Sequence, residues 1–523
     1  LIRRQRQMCI RDRKDFFMKN SVMLATALIA GAAAVLDYAF RVSHVYIDTA
    51  TFSGLSMILL WIAILNALAL TAMYIIKTYG LSSHGKPISE KKGFSAAYII
   101  CLCATVFFVI YVIVNVIISG YETIPVAMRF LKEDIPYLAA VFAIVILALV
   151  LPQIKNKRTQ RIISGAAVLG VLVSGFLSLY PCYPYKITSN PMVIDNGSEY
   201  SVVFSTNDKG TGYIQYQYNG EDYTVYDQDG GRKNGDSKIH TVTVPKEHLN
   251  GNSYRVGSRR VIDELSYGGR SGKEVVSDYY EFNAPFGSEQ KYLTVSDWHT
   301  YLDKIYDAVQ YAGDYNGVIL LGDPAPGLMF EDEVKKYIVE FGGEISKGTM
   351  PVIYVRGNHE TRGKEAANLP DYLGLDSFYY ETQYGDYNFI ALDSGEDKED
   401  SHPEYGGMVD YGQYRKDMVE WLGTLHESDK KTIALVHSYK ICLEEDLSTR
   451  AYNELKRLNV NQIISGHTHT CEFLENNGMK VYIDGGHSGG TFIISKLSLT
   501  KDNYTLEAWD DTGKEVFQKV ISW

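Results

Sequence analysis

The stretch Pro351-Val352-Ile353-Tyr354-Val355-Arg356-Gly357-Asn358-His359-Glu360 decides how the rest of the chain is read. Val352 to Val355 is a β-branched and aromatic run that reads as a buried strand, and a Gly-Asn-His-Glu loop follows it at once. Four other apolar runs end in the same manner. Tyr292 to Val295 leads into Asp297-Trp298-His299, Val318 to Leu321 into Gly322-Asp323, Thr432 to Val436 into His437, and Gln462 to Ile464 into Gly466-His467-Thr468-His469. Loops beyond the carboxyl ends of strands converge on one crevice in an open α/β sheet. Asp297, His299, Asp323, Asn358, His437, His467 and His469 are therefore expected to meet. Each cluster alone arises often by chance, but the five in this order do not.

Helical stretches separate these runs: Tyr301 to Tyr311, Glu331 to Phe341, Gln413 to His426 and Thr449 to Leu458. A further strand is expected at Tyr387 to Leu392, and four more close the chain between Lys480 and Ile521. Strands alternating with helices predict an α/β sheet covered by helices.

With these residues in hand, the chain from about 290 to 523 resembles the calcineurin-like metallophosphoesterase family. That family's pattern is Asp-x-His, Gly-Asp, Gly-Asn-His-Asp or Glu, His, and Gly-His-x-His. The resemblance implies a four-layer domain, a β-sandwich core flanked by helices with two metals at its edge. Carried over residue by residue, Asp297, His299 and His469 would hold the first metal, and Asn358, His437 and His467 the second. Asp323 would bridge them. His359 would face the leaving group as general acid, a role that suits an imidazole near neutral pH.

Two cations about 3.5 to 4 Å apart clamp a phosphoryl oxygen and lower the pKa of bound water towards about 7, so metal-bound hydroxide is the expected nucleophile. Mixed imidazole and carboxylate donors suit Mn, Fe, Zn, Co or Ni better than Ca or Mg. Arg356 and Arg362 flank the Asn358 loop, which looks like that of the serine/threonine phosphatase branch, and are candidates to neutralise substrate oxygens. Trp298, Glu360 and His402 are further candidates for the pocket edge. The Gly-Asp-x-x-Tyr pattern of an iron-tyrosinate centre is missing, because Pro324-Ala325-Pro326 follows Asp323.

The chain before this domain has a different character. Residues 1 to 181 carry 18 Lys and Arg against 8 Asp and Glu, a balance of +10, whereas the whole chain carries -11 and the remainder therefore -21. An acidic catalytic half is a poor partner for a nucleic-acid polymer, and none is expected. The basic opening, Leu1 to Lys14 within a segment 1 to 20, reads as outside the native protein, with Met18 the expected start. Five apolar stretches long enough to cross a bilayer follow within 21 to 181: Ser21 to Phe40, Gly54 to Ile76, Phe94 to Ser119, Ile135 to Leu151 and Ile162 to Tyr180. Lys77, Lys86, Lys91, Lys92, Lys155, Lys157, Arg158 and Arg161 concentrate after the second and fourth, which places those loops in the cytoplasm and everything beyond Tyr180 outside. A multi-pass cell-membrane protein with an extracytoplasmic catalytic half is expected. Asp37, Asn66 and Asn115 are the notable polar residues in the spans, and Asp37 reads as interfacial.

Prolines 181, 184 and 191 mark residues 182 to 191 as a linker. From 192 to 286, short Val-, Ile-, Thr- and Tyr-rich runs alternate with Gly, Asn and Asp turns. They predict a small all-β sandwich, similar to the fibronectin III-like module that purple acid phosphatases carry ahead of their catalytic domain. The tyrosines there are assigned to strand packing. Residues 287 to 523 complete a multi-domain chain. Of the six cysteines, Cys442 and Cys471 could pair if they meet, and two independent thiols are the simpler expectation.

Together these features predict a membrane-anchored phosphoesterase acting on a small phosphate ester or a cell-envelope phosphate. The alternative is a catalytically weak, ligand-sensing ectodomain on a membrane bundle. Turnover by the metal-loaded protein separates the two. Monoester and diester substrates are not distinguished by the residues.

Overall fold

The computed structural model describes residues 20–42, 54–79, 82–83, 86–87, 92–119, 184–265, 268–488 and 490–523. The chain divides into two compact units, Leu1–Tyr183 with Asp263–Arg270, and Pro184–Ile262 with Ser271–Trp523.

In the first unit three helices are described, Asn20–Val42, Gly54–Thr78 and Lys92–Ser119. Small side chains let them approach closely, with Ala27, Ala30, Ala33, Ala34 and Ala63 buried between them. Asn66 Nδ2 donates to Thr105 Oγ1 at 3.0 Å across the packed faces. Trp61, Leu65, Ile100 and Phe107 instead point outward. By length and composition Ile58–Thr78 and Gly93–Val114 are able to cross a membrane, and the apolar helix Asn20–Val35 is shorter. The first three expected spans fall on these helices, while those at 135–151 and 162–180 lie outside the described residues.

The second unit is built on two mixed sheets. In the larger, strands follow one another in space as Glu515–Ser522, Asn503–Asp510, Thr491–Leu499, Gln290–Val295, Gly317–Leu320, Pro351–Tyr354, Met192–Asp195, Glu199–Ser205 and Ile239–Pro245. The run from Gln290–Val295 through Met192–Asp195 is parallel. The second sheet has the order Tyr380–Tyr384, Tyr387–Leu392, Lys431–Val436, Val460–Ser465, Met479–Ile483 and Glu472–Asn476. Its alternation shows how it is sandwiched. Phe389, Ala391, Ile433 and Leu435 face the large sheet in one core, while Ile390, Leu392, Ala434 and Val436 pack on helices Tyr411–Thr424 and Glu445–Arg457 in another. Parallel strands of both sheets bring their carboxyl ends to one edge.

The boundary expected at 286/287 does not separate the β strands from the catalytic sheet. Met192–Asp195 pairs in parallel with Pro351–Tyr354, Val193 opposite Pro351 and Ile194 opposite Val352. Met192 and Ile194 face the catalytic core, and Val193 faces a second core with Val202, Phe204, Ile214, Tyr216 and Val256. Across that second core lies a sheet of Gly268–Val276, Ser253–Leu265, Gly210–Tyr218 and Glu221–Tyr226. The wall is shared because its strands are apolar on both faces. Met192-Val193-Ile194, at the start of the all-β module expected from 192 to 286, is a fully buried strand, and a continuous apolar run is the signature of one.

Candidate metal centre

Each expected donor stands on a loop immediately after a parallel strand. Closing those loops forces unusual backbone: Asp297, His299, Asp323, His467 and His469 all have positive φ, between 38° and 73°. Such conformations cost on the order of 1–3 kcal/mol each for ordinary residues and cluster at functional sites. Two glycines permit the close approach of the Asp323 and Asn358 loops. A Cβ at Gly322 would lie 2.2 Å from the Gly357 nitrogen, and one at Gly357 would lie 2.2 Å from Asp323 Oδ1. Glu360 clamps the same loops from beneath, accepting from Asp323 N (3.0 Å), Gly357 N (3.1 Å) and the Tyr354 hydroxyl (2.8 Å).

Three overlapping groups of donors form, Asp297 with His299 and His469, His299 with Asp323 and His359, and Asp323 with His437 and His467. In the first, His299 Nε2 and His469 Nε2 approach to 3.2 Å, and His469 Nε2 lies 3.2 Å from Asp297 Oδ1. Asp297 Oδ2 accepts from the Ser296 hydroxyl and the His467 amide, but its buried Oδ1 has no hydrogen-bond partner. In the third group, His437 Nε2 lies 3.2 Å from Asp323 Oδ2, and Asn358 Oδ1 lies 3.1 Å from His467 Nδ1. One terminal atom of the Asn358 carboxamide lies 3.1 to 3.3 Å from His467 Nδ1, His437 Nε2 and Asp323 Oδ2, and the other lies 2.9 Å from Arg362 Nη2. His437 Nδ1 donates to the Leu321 carbonyl at 2.6 Å, which turns Nε2 inward toward Asp323.

These observations test whether the residues fit metal ions. A buried Asp297 oxygen without a hydrogen-bond partner and the imidazole nitrogens of His299 and His469 drawn to 3.2 Å of each other form an arrangement that a cation stabilises. The set fits. The electrostatics agree: burial alone would raise the Asp323 and Asp297 carboxyls, yet His437 and the neighbouring hydrogen bonds hold both below the usual range. Burial would lower His437, but Asp323 and Asp297 push it up to about 10. Positive charge is what this cavity accepts.

His359 lies at the rim, with Nδ1 3.1 Å from the Pro326 carbonyl and Nε2 3.7 Å from Asp323 Oδ2. Arg362 stands beside it, Nη1 3.3 Å from His359 Nε2, and is gripped by Glu396 through Nε (2.5 Å) and Nη2 (2.9 Å). Arg356 is placed otherwise than expected. It is buried on Asp393, with Nε at 2.8 Å and Nη2 at 2.6 Å from Oδ2, under the Phe378 ring. Trp298 is also no pocket-edge residue: it is fully buried, donates to the Tyr337 carbonyl and stacks on Phe341. Buried Glu360 acts as the clamp described above, and His402 accepts from the Glu404 amide in an exposed turn. Cys442 and Cys471 are both free thiols.

Two further strand ends contribute residues that sequence reasoning passed over. After Tyr387–Leu392 comes Asp393-Ser394-Gly395-Glu396, which holds both arginines. After Met479–Ile483 come Asp484 and His487, whose ring stacks on Tyr301 at 5.2 Å and lies 6.1 Å from His469. Their position past a parallel strand was the available signal.

Two mixed sheets thus deliver imidazole, carboxylate and carboxamide groups to one edge, in groups that could hold metal ions. Residues 291–471 match the family model for calcineurin-like phosphoesterases. Similar solved structures include a purple acid phosphatase from yellow lupin (Lupinus luteus) seeds, 14% identical over 64% of this chain and 74% of that one, TM-score 0.43. PhoD is 11% identical over 65% and 94%, TM-score 0.43. The protein GAP50 of Plasmodium is 14% identical over 45% and 89%, TM-score 0.33. No curated protein matches.

Proposed function

We propose that this chain is a membrane-anchored phosphoesterase with a two-metal centre, acting outside the cytoplasm on a small phosphate ester or a cell-envelope phosphate. One observation carries the reading: Asp323 belongs both to the donor group of His299 and to that of His437 and His467, where a bridging carboxylate would stand. Asp297, His299 and His469 would hold one ion and Asn358, His437 and His467 the other, with Mn, Fe, Zn, Co or Ni suited to the donors. When bound, such a pair supplies Lewis acidity toward a phosphoryl oxygen and lowers the pKa of water.

The chain's own residues do the rest. Arg362, held rigid by Glu396, presents a guanidinium to substrate oxygens. His359 gives its Nε2 proton to the departing oxygen, its ring oriented by the Pro326 carbonyl. Membrane anchoring is supported by the apolar helices and by the lysines and arginines between the expected spans. The facing sheets around Val202, Phe204 and Ile214 support a fibronectin III-like module grafted onto the catalytic sheet.

The test uses the full chain in detergent with Mn and an aryl phosphate. His359→Ala should lower kcat by about 100- to 10,000-fold with metal content retained. Asp323→Ala should lose both activity and metal. Full activity in both variants refutes the assignment.

A further inference from the structure

Ser438, Lys440, Ile441, Cys442 and Leu443 form one wall of a cavity of about 200 Å³ that Asn358 and His467 also line. Ser394 to Asp397 line the same cavity. Nothing in the hydrolytic mechanism above uses the first wall.

Its backbone is built to hold a shape. Ile441 has φ +45°, a conformation that β-branched residues rarely adopt. The turn is pinned at several points: Ile441 N donates to the Ser438 carbonyl at 3.0 Å, Tyr452 OH to the Tyr439 carbonyl at 2.6 Å, and Ser448 Oγ to the Lys440 carbonyl at 3.1 Å. Ile441 and Cys442 are buried, whereas Lys440 is exposed and Leu443 is 41% exposed. Strain persists where surrounding structure over-determines it, and this segment is so held.

Charge completes the argument. Of the carboxylates lining the cavity, Glu396 is taken up by Arg362, and Asp397 lies 3.5 Å from Arg362 Nη2 and 3.6 Å from Lys398 Nζ. Among the described residues no carboxylate forms a salt bridge with Lys440, so the cavity retains one cation without a carboxylate partner. An ammonium without a carboxylate partner, carried on a pinned backbone beside a phosphoryl site, suits an anion on the substrate's leaving group.

We infer that Ser438–Leu443 is a leaving-group recognition turn, and that Lys440 receives a second phosphate, so that the substrate is a phosphoester or phosphoanhydride whose leaving group is itself phosphorylated. This rests on the phosphoesterase reading. Hydrolysis consumes one water: its oxygen bonds to phosphorus, the P–O bond to the leaving group breaks with its electron pair, and the departing oxygen takes a proton.

The experiment titrates Mn-loaded full chain in detergent with imidodiphosphate, whose P–N–P bridge resists cleavage, and with orthophosphate, by calorimetry. Lys440→Gln should weaken imidodiphosphate binding about tenfold and orthophosphate binding by less than about threefold, with Lys440→Arg restoring most of the loss. The ratio of kcat/KM for pyrophosphate over p-nitrophenyl phosphate should fall about tenfold in Lys440→Gln. Equal weakening of both probes, or of neither, overturns the assignment. If the wild type cleaves p-nitrophenyl phosphate and the ratio does not move, the recognition turn is wrong and the phosphoesterase reading stands. Lys440-dependent binding without any turnover has the opposite meaning. Adenosine diphosphate and farnesyl diphosphate in micelles, compared in the same variants, identify whether a nucleoside or a lipid hangs on the second phosphate; Lys440 dependence with neither also overturns the assignment.

Discussion

Arg356 separates two accounts of the loop before Asn358. If it touched substrate, replacing it would raise KM and leave the fold alone. In the structure it is only 7% exposed and paired to the fully buried Asp393. Arg356→Met keeps the packing under Phe378 but strands a carboxylate whose remaining donors are the Tyr414 hydroxyl (3.0 Å) and the Gly395 amide (2.8 Å). Breaking a buried pair from one side costs about 3–5 kcal/mol, against less than about 1 kcal/mol for an exposed one. For a unit of this size the loss corresponds to a fall of roughly 5–10 °C in thermal midpoint. The double variant Arg356→Met/Asp393→Leu removes the stranded charge and should recover more than half of it. Circular dichroism melts of the three proteins, with steady-state kinetics on p-nitrophenyl phosphate at a temperature where all are folded, make the comparison. An unchanged midpoint with KM raised about tenfold or more would mean that the guanidinium serves substrate, and the burial argument would be refuted.

Three other outcomes are expected. Gly357→Ala places a methyl within 2.2 Å of Asp323 Oδ1, and displacement of that carboxylate should cut activity about 100-fold with reduced metal content by elemental analysis; near-normal values for both would contradict the packing. Asp484 is fully buried, and burial pushes its carboxyl up to about 8, with Oδ1 accepting from Ser495 and Oδ2 without a partner. Its contribution is present below the unfolded carboxyl value near 4 and lost as pH rises through about 8, so in chelator Asp484→Asn should gain on the wild type over that window by a few kcal/mol; parallel stability curves from pH 4 to 9 would dismiss the idea. Chelation should abolish activity and lower the thermal midpoint, and Mn at about 100 times its Kd should return about 2.7 kcal/mol. A midpoint indifferent to metal would show that the donor cluster binds none.

The donors were legible in sequence because strand and loop are adjacent in the chain. An apolar run followed at once by Asp297-Trp298-His299 or Gly357-Asn358-His359-Glu360 carries both the position and the chemistry, and the order of such segments places them in one crevice. Apolar length likewise marked the helices at 54–78 and 92–119 without reference to anything distant. Only the tertiary structure decided where Arg356 points, because a guanidinium goes to whichever carboxylate can be buried with it, and Asp393 lies 37 residues away. The same holds for Glu396 on Arg362, for Lys440 without a carboxylate partner among the described residues, and for Met192–Asp195, whose hydrogen-bond partner strand begins at Pro351. Periodicity reports which residues share a face. Which strand lies alongside, and which charges meet, follow from closure of the sheets and from the cost of leaving a polar group buried without a partner.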